Sequence, residues 1–137
     1  MTWLALVLLV VVLTGAAIGL FVRRRRRQRF ALVESLFLVR VDDAHVTVRD
    51  PEGEEETIAW DDLQRIVLHT TDGGPDQPDI LWELHPAFGR SVMFPSAATG
   101  EVDFMYDAQK LPGFRDESLV RAMTSAENGS FLVWERE

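Results

Sequence analysis

The chain has 137 residues, room for one domain of ordinary size once a membrane segment is set aside. Fourteen Lys and Arg stand against 22 Asp and Glu, a formal net charge of −8. Cysteine is absent, which excludes disulfides, thiol catalysis and cysteine metal sites.

The charge is unevenly spread. Six arginines, Arg23, Arg24, Arg25, Arg26, Arg27 and Arg29, fall in the first 30 residues, which hold no acid. The remainder carries eight basic residues against all 22 acidic ones, a net of −14. A body that acidic repels nucleic acid and anionic lipid and suits basic partners.

Trp3 to Val22 is a run of twenty residues without a charge, and Thr14 is its only polar side chain. At 1.5 Å per residue a helix over this run spans about 30 Å, the thickness of a hydrocarbon core. Residues 1–22 are therefore predicted to form an N-terminal transmembrane helix. A secretory signal peptide places basic residues before a shorter apolar core. Here the basic cluster follows the core, so the helix is expected to be retained despite the small pair Ala16-Ala17. Residues 23–30 form a polybasic juxtamembrane segment whose arginines anchor the helix end, at about 1 kcal/mol each near an anionic leaflet. The positive-inside rule then puts residues 31–137 in the cytoplasm and the N-terminus outside. Gly15 and Gly19 make a G-x-x-x-G pair, a face on which two such helices can pack into a homodimer. The arginine run follows a membrane span, has no aromatic interleaving and precedes an acidic body, so nucleic acid is not expected as a partner.

Beyond Phe30 the pattern turns to short strands. Leu36–Val41, His45–Arg49, Glu56–Trp60, Gln64–Thr71, Ile80–His85 and Arg90–Phe94 are predicted as six of them. Asp50-Pro51-Glu52-Gly53 supplies a turn, Asp61-Asp62-Leu63 a single tight turn, and the Pro- and Gly-rich stretch from Asp72 to Asp79 a loop. Matching apolar faces predicts Gln64–Thr71 and Ile80–His85 as an antiparallel pair, with Leu68 opposite Trp82, Ile66 opposite Leu84 and Thr70 opposite Ile80. The other face then carries Arg65, Val67 and His69 against His85, Glu83 and Leu81. Helical spacing follows. Thr99–Lys110 offers Val102, Met105, Tyr106 and Leu111, and Pro112-Gly113 stops it. Asp116 is the expected N-cap of a second helix with Leu119, Ala122, Met123 and Ala126 on one face, ended by Asn128-Gly129. Phe131–Trp134 reads as a short final strand or tail. Strands followed by helices give an α+β domain, mainly antiparallel β with C-terminal helices.

The passage Thr57-Ile58-Ala59-Trp60-Asp61-Asp62-Leu63, leading into Gln64–Thr71, resembles bacterial pleckstrin-homology-like domains, which often sit beside transmembrane helices. The resemblance covers roughly residues 34–126, and the chain departs from it in having two helices and a further strand near its end. A second string is similar to a family of small bacterial membrane-anchored proteins: Thr70-Thr71-Asp72-Gly73-Gly74-Pro75, Trp82, Leu111-Pro112-Gly113-Phe114, Ala122-Met123 and Trp134. That likeness brings no activity with it. It implies the inner (plasma) membrane as the location. Pleckstrin-homology-like domains that bind lipid headgroups do so through basic loops. The basic residues here are scattered, so the resemblance implies recognition of protein or peptide instead.

The sequence offers little catalytic chemistry. Asp72, Asp76 and Asp79 crowd one loop but match no calcium-loop spacing. His45, His69 and His85 fall at non-apolar positions of predicted strands and read as surface residues, and no P-loop, dinucleotide fingerprint or G-x-S-x-G is present. No cofactor, metal ligand or catalytic residue is assigned. Glu52, Glu54, Glu55 and Glu56 surround a turn, either as a solvated hairpin tip or as a face for a basic partner. Trp60, Trp82 and Trp134 are expected in the core. The expected function is a membrane-tethered, non-catalytic protein-interaction module. One alternative is a membrane-anchored hydrolase using the Asp72–Asp79 loop with a histidine, and another is a small subunit of a larger membrane complex joined through Gly15 and Gly19.

Overall fold

The computed structural model describes residues 2–72 and 79–137, and of residues 23–32 the backbone alone. The chain is α+β, an apolar N-terminal helix followed by two antiparallel sheets and two short helices.

Helix α1 runs from Thr2 to Ser35, 34 residues. It does not end at Val22, where the apolar run stops. Nothing between Gly19 and Ser35 is a Pro, Gly or capping residue until Ser35 itself, and arginine is a good helix former. The polybasic segment is thus a continuation of the same helix. The stretch Thr2–Val22 is long and apolar enough to cross a membrane, and none of it is buried against the rest of the protein. An N-terminal signal sequence would share these properties. At the far end Thr99 Oγ1 donates to Ser35 O at 2.7 Å, and Phe37 packs on the core, so the helix meets the domain without a slack linker.

The first sheet has the order β1-β2-β3, with β1 Leu38–Val41, β2 His45–Arg49 and β3 Glu55–Ala59. Asp42 Oδ1 accepts the N–H groups of Ala44 and His45 at the first turn, and Asp50 Oδ1 that of Glu54 at the second, where Gly53 takes a positive φ. Trp60–Asp62 is a single 3-10 turn. The third strand therefore ends at Ala59 and Trp60 belongs to the turn, not to the strand.

The second sheet has the order β6-β5-β4-β7, with β4 Leu63–Thr70, β5 Ile80–Pro86, β6 Val92–Pro95 and β7 Gly129–Glu135. The β4–β5 register is the one matched apolar faces dictate: Leu68 opposite Trp82, Ile66 opposite Leu84, Thr70 opposite Ile80. Residues 63 to 70 bury Leu63, Ile66, Leu68 and Thr70 on one face. The skipped beat after Leu63 coincides with an irregularity between Leu63 and Arg65.

Between the sheets lies one core of Val39, Val46, Val48, Ile58, Ile66, Leu68, Trp82, Leu84, Phe94, Phe104 and their neighbours. Phe104 stands edge-on to Trp82 and Phe94, with centroids 5.1 and 5.2 Å apart, and stacks on Trp60 at 5.9 Å. All three tryptophans of the domain satisfy their N–H: Trp60 on Asp42 O, Trp82 on Glu101 Oε1, Trp134 on Pro112 O.

Helices α2 (Glu101–Ala108) and α3 (Asp116–Thr124) correct the sequence reading in detail. In α2 the buried residues are Phe104 and Ala108, while Val102 and Tyr106 face solvent. Asp116 is the first residue of α3, not its cap; Arg115 holds that position without a side-chain bond. The helix ends at Thr124, with Ser125 already extended. Asn128-Gly129 opens β7 instead of closing the helix, and β7 pairs along β4 as a full member of the sheet.

Candidate functional site

The edge strands of the two sheets are β1, β3, β6 and β7; β1 is bonded on its outer edge to Thr99 and β7 to Arg115. The edges of β3 and β6 border a groove of about 440 Å³, lined by Glu56, Ile58 and Ala59 on β3, by Asp62, and by Phe88, Arg90 and Val92 across from them. A second groove of about 250 Å³ shares Glu56 and Val92 and extends past Glu54, Glu52 and Asp50.

Hydrogen-bond parity fixes which backbone groups face this opening. Asp50 N–H donates to Glu54 O and Trp60 N–H to Ala44 O, so the bonded pairs of β2–β3 fall on even residues. The N–H and C=O groups of Glu55 and Thr57, and the N–H of Ala59, therefore point away from β2, along the free edge. On β6 the bond from Ser96 N–H to Ile80 O sets the same parity. Its free edge presents Met93 and Pro95, and the proline has no N–H to offer.

Side-chain alternation supplies the walls. Ile58 points to the core, so Glu56 lies on the same inner face of β3, and Glu54, just before the strand with its C=O accepting Asp50 N–H, continues that alternation. Cross-strand Val48 is buried opposite Glu56. The two glutamates thus occupy positions that the strand's pattern reserves for apolar residues. The outer face is satisfied by itself: Arg40 meets Glu55 at 2.9 Å and Thr47 meets Thr57 at 3.0 Å. Among the described residues no cation pairs with Glu54 or Glu56. Phe88, at the β5–β6 turn before Gly89, is 93% exposed and overhangs the groove.

A separate polar cluster sits on the outer face of the second sheet. Glu83 lies between two histidines: His85 Nε2 contacts Oε1, and His69 Nε2 is 3.3 Å from Oε2. Ser130 Oγ is 2.8 Å from His69 Nδ1. His69 Nε2 is closed off from solvent and has no hydrogen bond of good geometry. The two histidines are therefore not independent surface residues, as their separate positions in sequence imply. His45 lies apart from them, 3.7 Å from Asp42. The Asp42 carboxylate is held below its usual range by the backbone N–H groups of Ala44 and His45.

Among the described residues no three His, Asp or Glu side chains converge as a metal site. Of the aspartate loop, Asp76 lies outside the described residues. Its described ends are held together by Thr71 N–H donating to Asp79 O, while Asp72 N–H bonds Asn128 Oδ1 and burial together with Asp79 raises the Glu34 carboxyl. The side chains of Arg23, Arg24, Arg25, Arg26, Arg27 and Arg29 also lie outside the described residues. Gly15 and Gly19 stand one turn apart on α1 with nothing within 4 Å of where a Cβ would be. Compared with family models, with curated proteins and with solved structures, the chain finds no match.

Proposed function

We propose that the chain is a single-pass membrane protein whose acidic domain is a non-catalytic protein-interaction module on the cytoplasmic face. The observation that carries this reading is Thr2–Val22, an apolar helix of membrane-spanning length with no part buried in the domain. A soluble helix of that composition would bury its surface. The arginines that follow orient the span by the positive-inside rule.

A pleckstrin-homology-like ancestry is supported by two antiparallel sheets around one core with helices near the C-terminus. The strand β7, added to β4 after those helices, departs from that pattern. The interaction role is supported by the groove between two free edges. The hydrolase reading rests on the Asp72–Asp79 loop, of which Asp76 lies outside the described residues. The Ser130–His69–Glu83 contacts lie on a sheet face away from either groove. Gly15 and Gly19 support a second reading, assembly into a larger membrane complex through α1.

Fusions after Glu137 test the topology. A fluorescent protein is expected to be bright and alkaline phosphatase inactive; an active phosphatase overturns the orientation. A chain that is shortened at its N-terminus and extracted by alkaline carbonate would show a removed signal sequence instead of an anchor.

A further inference from the structure

We infer that the groove beside β3 binds an extended peptide segment bearing arginine or lysine, added as a fourth strand to the β1-β2-β3 sheet. This deepens the interaction-module reading and rests on it. The two free edges are not equal hosts. β3 offers Glu55 and Thr57 with both N–H and C=O directed outwards, and the N–H of Ala59, whose C=O belongs to the 3-10 turn, whereas β6 offers Met93 and an N–H-less Pro95. Strand addition draws affinity from such main-chain groups and specificity from alternate side chains.

The alternate side chains are dictated by the inner face of β3, which reads Glu54, Glu56, Ile58. A segment paired there sets its inward side chains beside these three. Two carboxylates without a partner call for two cations. Ile58 and Phe88, which line the same opening, call for an apolar group. Laid parallel to β3, the segment reads basic-x-basic-x-apolar. Asp50, Glu52 and Asp62 add negative charge along the same opening, against Arg90 among the lining residues and Arg49 beside Gly53. This field favours a basic segment and repels an acidic one. Phe88, exposed among the lining residues, adds apolar surface that such a segment can cover.

The test uses the full chain in micelles of a neutral detergent. The probe is a labelled, capped heptapeptide with arginine at its second and fourth positions, valine at its sixth and threonine elsewhere, read by fluorescence anisotropy. Three controls share its length: one with glutamate for arginine, one N-methylated at the amides that would face β3, and one with alanine for valine. Saturable binding of the parent is expected, at least about tenfold weaker for the glutamate and N-methylated peptides. E54Q/E56Q is expected to weaken the parent peptide at least about tenfold, and F88A several-fold. All three side chains concerned are solvent-facing, so melting curves should match the unaltered chain. Equal binding of the N-methylated peptide overturns strand addition, and equal binding of the glutamate peptide overturns the charge argument. A folded chain that binds none of these peptides overturns the groove itself, while a bright C-terminal fusion in the membrane would leave the tether reading intact.

Discussion

Trp82 lives in two environments. Its ring is fully buried against Phe94 and Phe104, and its Nε1–H donates to Glu101 Oε1 at 3.0 Å. The indole thereby draws a carboxylate part-way into the core. Burial raises the Glu101 pKa above 4.5, and the indole bond opposes that rise. A raised carboxyl pKa means the folded state prefers the protonated form. Ionisation then costs stability at neutral pH, and the cost fades as pH falls through the raised value towards 4.5. Glutamine keeps the acceptor oxygen without the charge. E101Q should therefore raise the melting temperature at pH 7, with the gap closing as the pH nears 4.5. Melts followed by circular dichroism across that range check it, and a gap independent of pH would count against the account. The burial of Trp82 was legible in the sequence because it alternates with Leu84 on an otherwise clear strand. Phe104 was not. Helix α2 is two turns long and carries apolar residues on both sides, so spacing alone favoured Val102 and Tyr106 over the face that packs.

At the scale of elements, the β4–β5 register was legible locally, while the cap and end of α3 and the place of Trp60 were local readings that the fold overrode. The β4–β5 register followed from two strands whose apolar beats match in one way only. That register already set His69 diagonal to Glu83, and Glu83 two residues from His85 on the same face. The polar cluster was latent in it, yet the histidines were judged one at a time. β7 pairing with β4 was out of reach, since a bond between residues 65–70 and 129–135 leaves no local trace. The groove was half visible. The glutamates near Gly53 stood out, but their inward direction needs the parity of β3 and knowledge that its edge stays free. The junction of β1 with the segment before α2 shows the same limit. Val39 N–H donates to Thr99 O, and Thr99 N–H to Phe37 O, which closes the outer edge of β1. Gly100 makes this possible: its φ is +89°, and a Cβ there would fall 2.0 Å from Val39 O. Backbone cannot yield as a side-chain tip can. G100A should cost at least about 2 kcal/mol, from the left-handed conformation and the displaced carbonyl together. Urea unfolding would measure it, and a loss under about 0.5 kcal/mol, typical of neutral surface changes, would show the approach is not held.

For the whole molecule the decisive feature is that α1 carries on past the apolar run. Residues 23–35 remain helical, and at 1.5 Å per residue they extend about 20 Å. Their end is bonded to the domain through Thr99 and Ser35. A short flexible tether would let two forces set the domain's height: attraction of the leaflet for the arginines and repulsion of the net −14 that follows them. Salt would then move the domain, because both forces decay over a Debye length of about 8 Å at physiological ionic strength. A helical spacer of more than two such lengths removes most of that competition. In the proposed membrane reading the acidic body begins about 20 Å from the leaflet and about 9 Å past Arg29, so the helix sets its distance from the leaflet. We therefore expect a height fixed by the helix and insensitive to salt. In lipid nanodiscs with anionic headgroups, energy transfer from a dye on the domain to dyes in the leaflet should be unchanged between 0.05 and 0.5 M salt, a range over which the Debye length falls about threefold. Replacing Gln28 and Arg29 by a glycine pair should loosen the spacer, at about 1 kcal/mol of helix propensity per glycine, and introduce a salt-dependent distance. Salt-dependent transfer in the unaltered chain would show that the helix does not act as a rigid post.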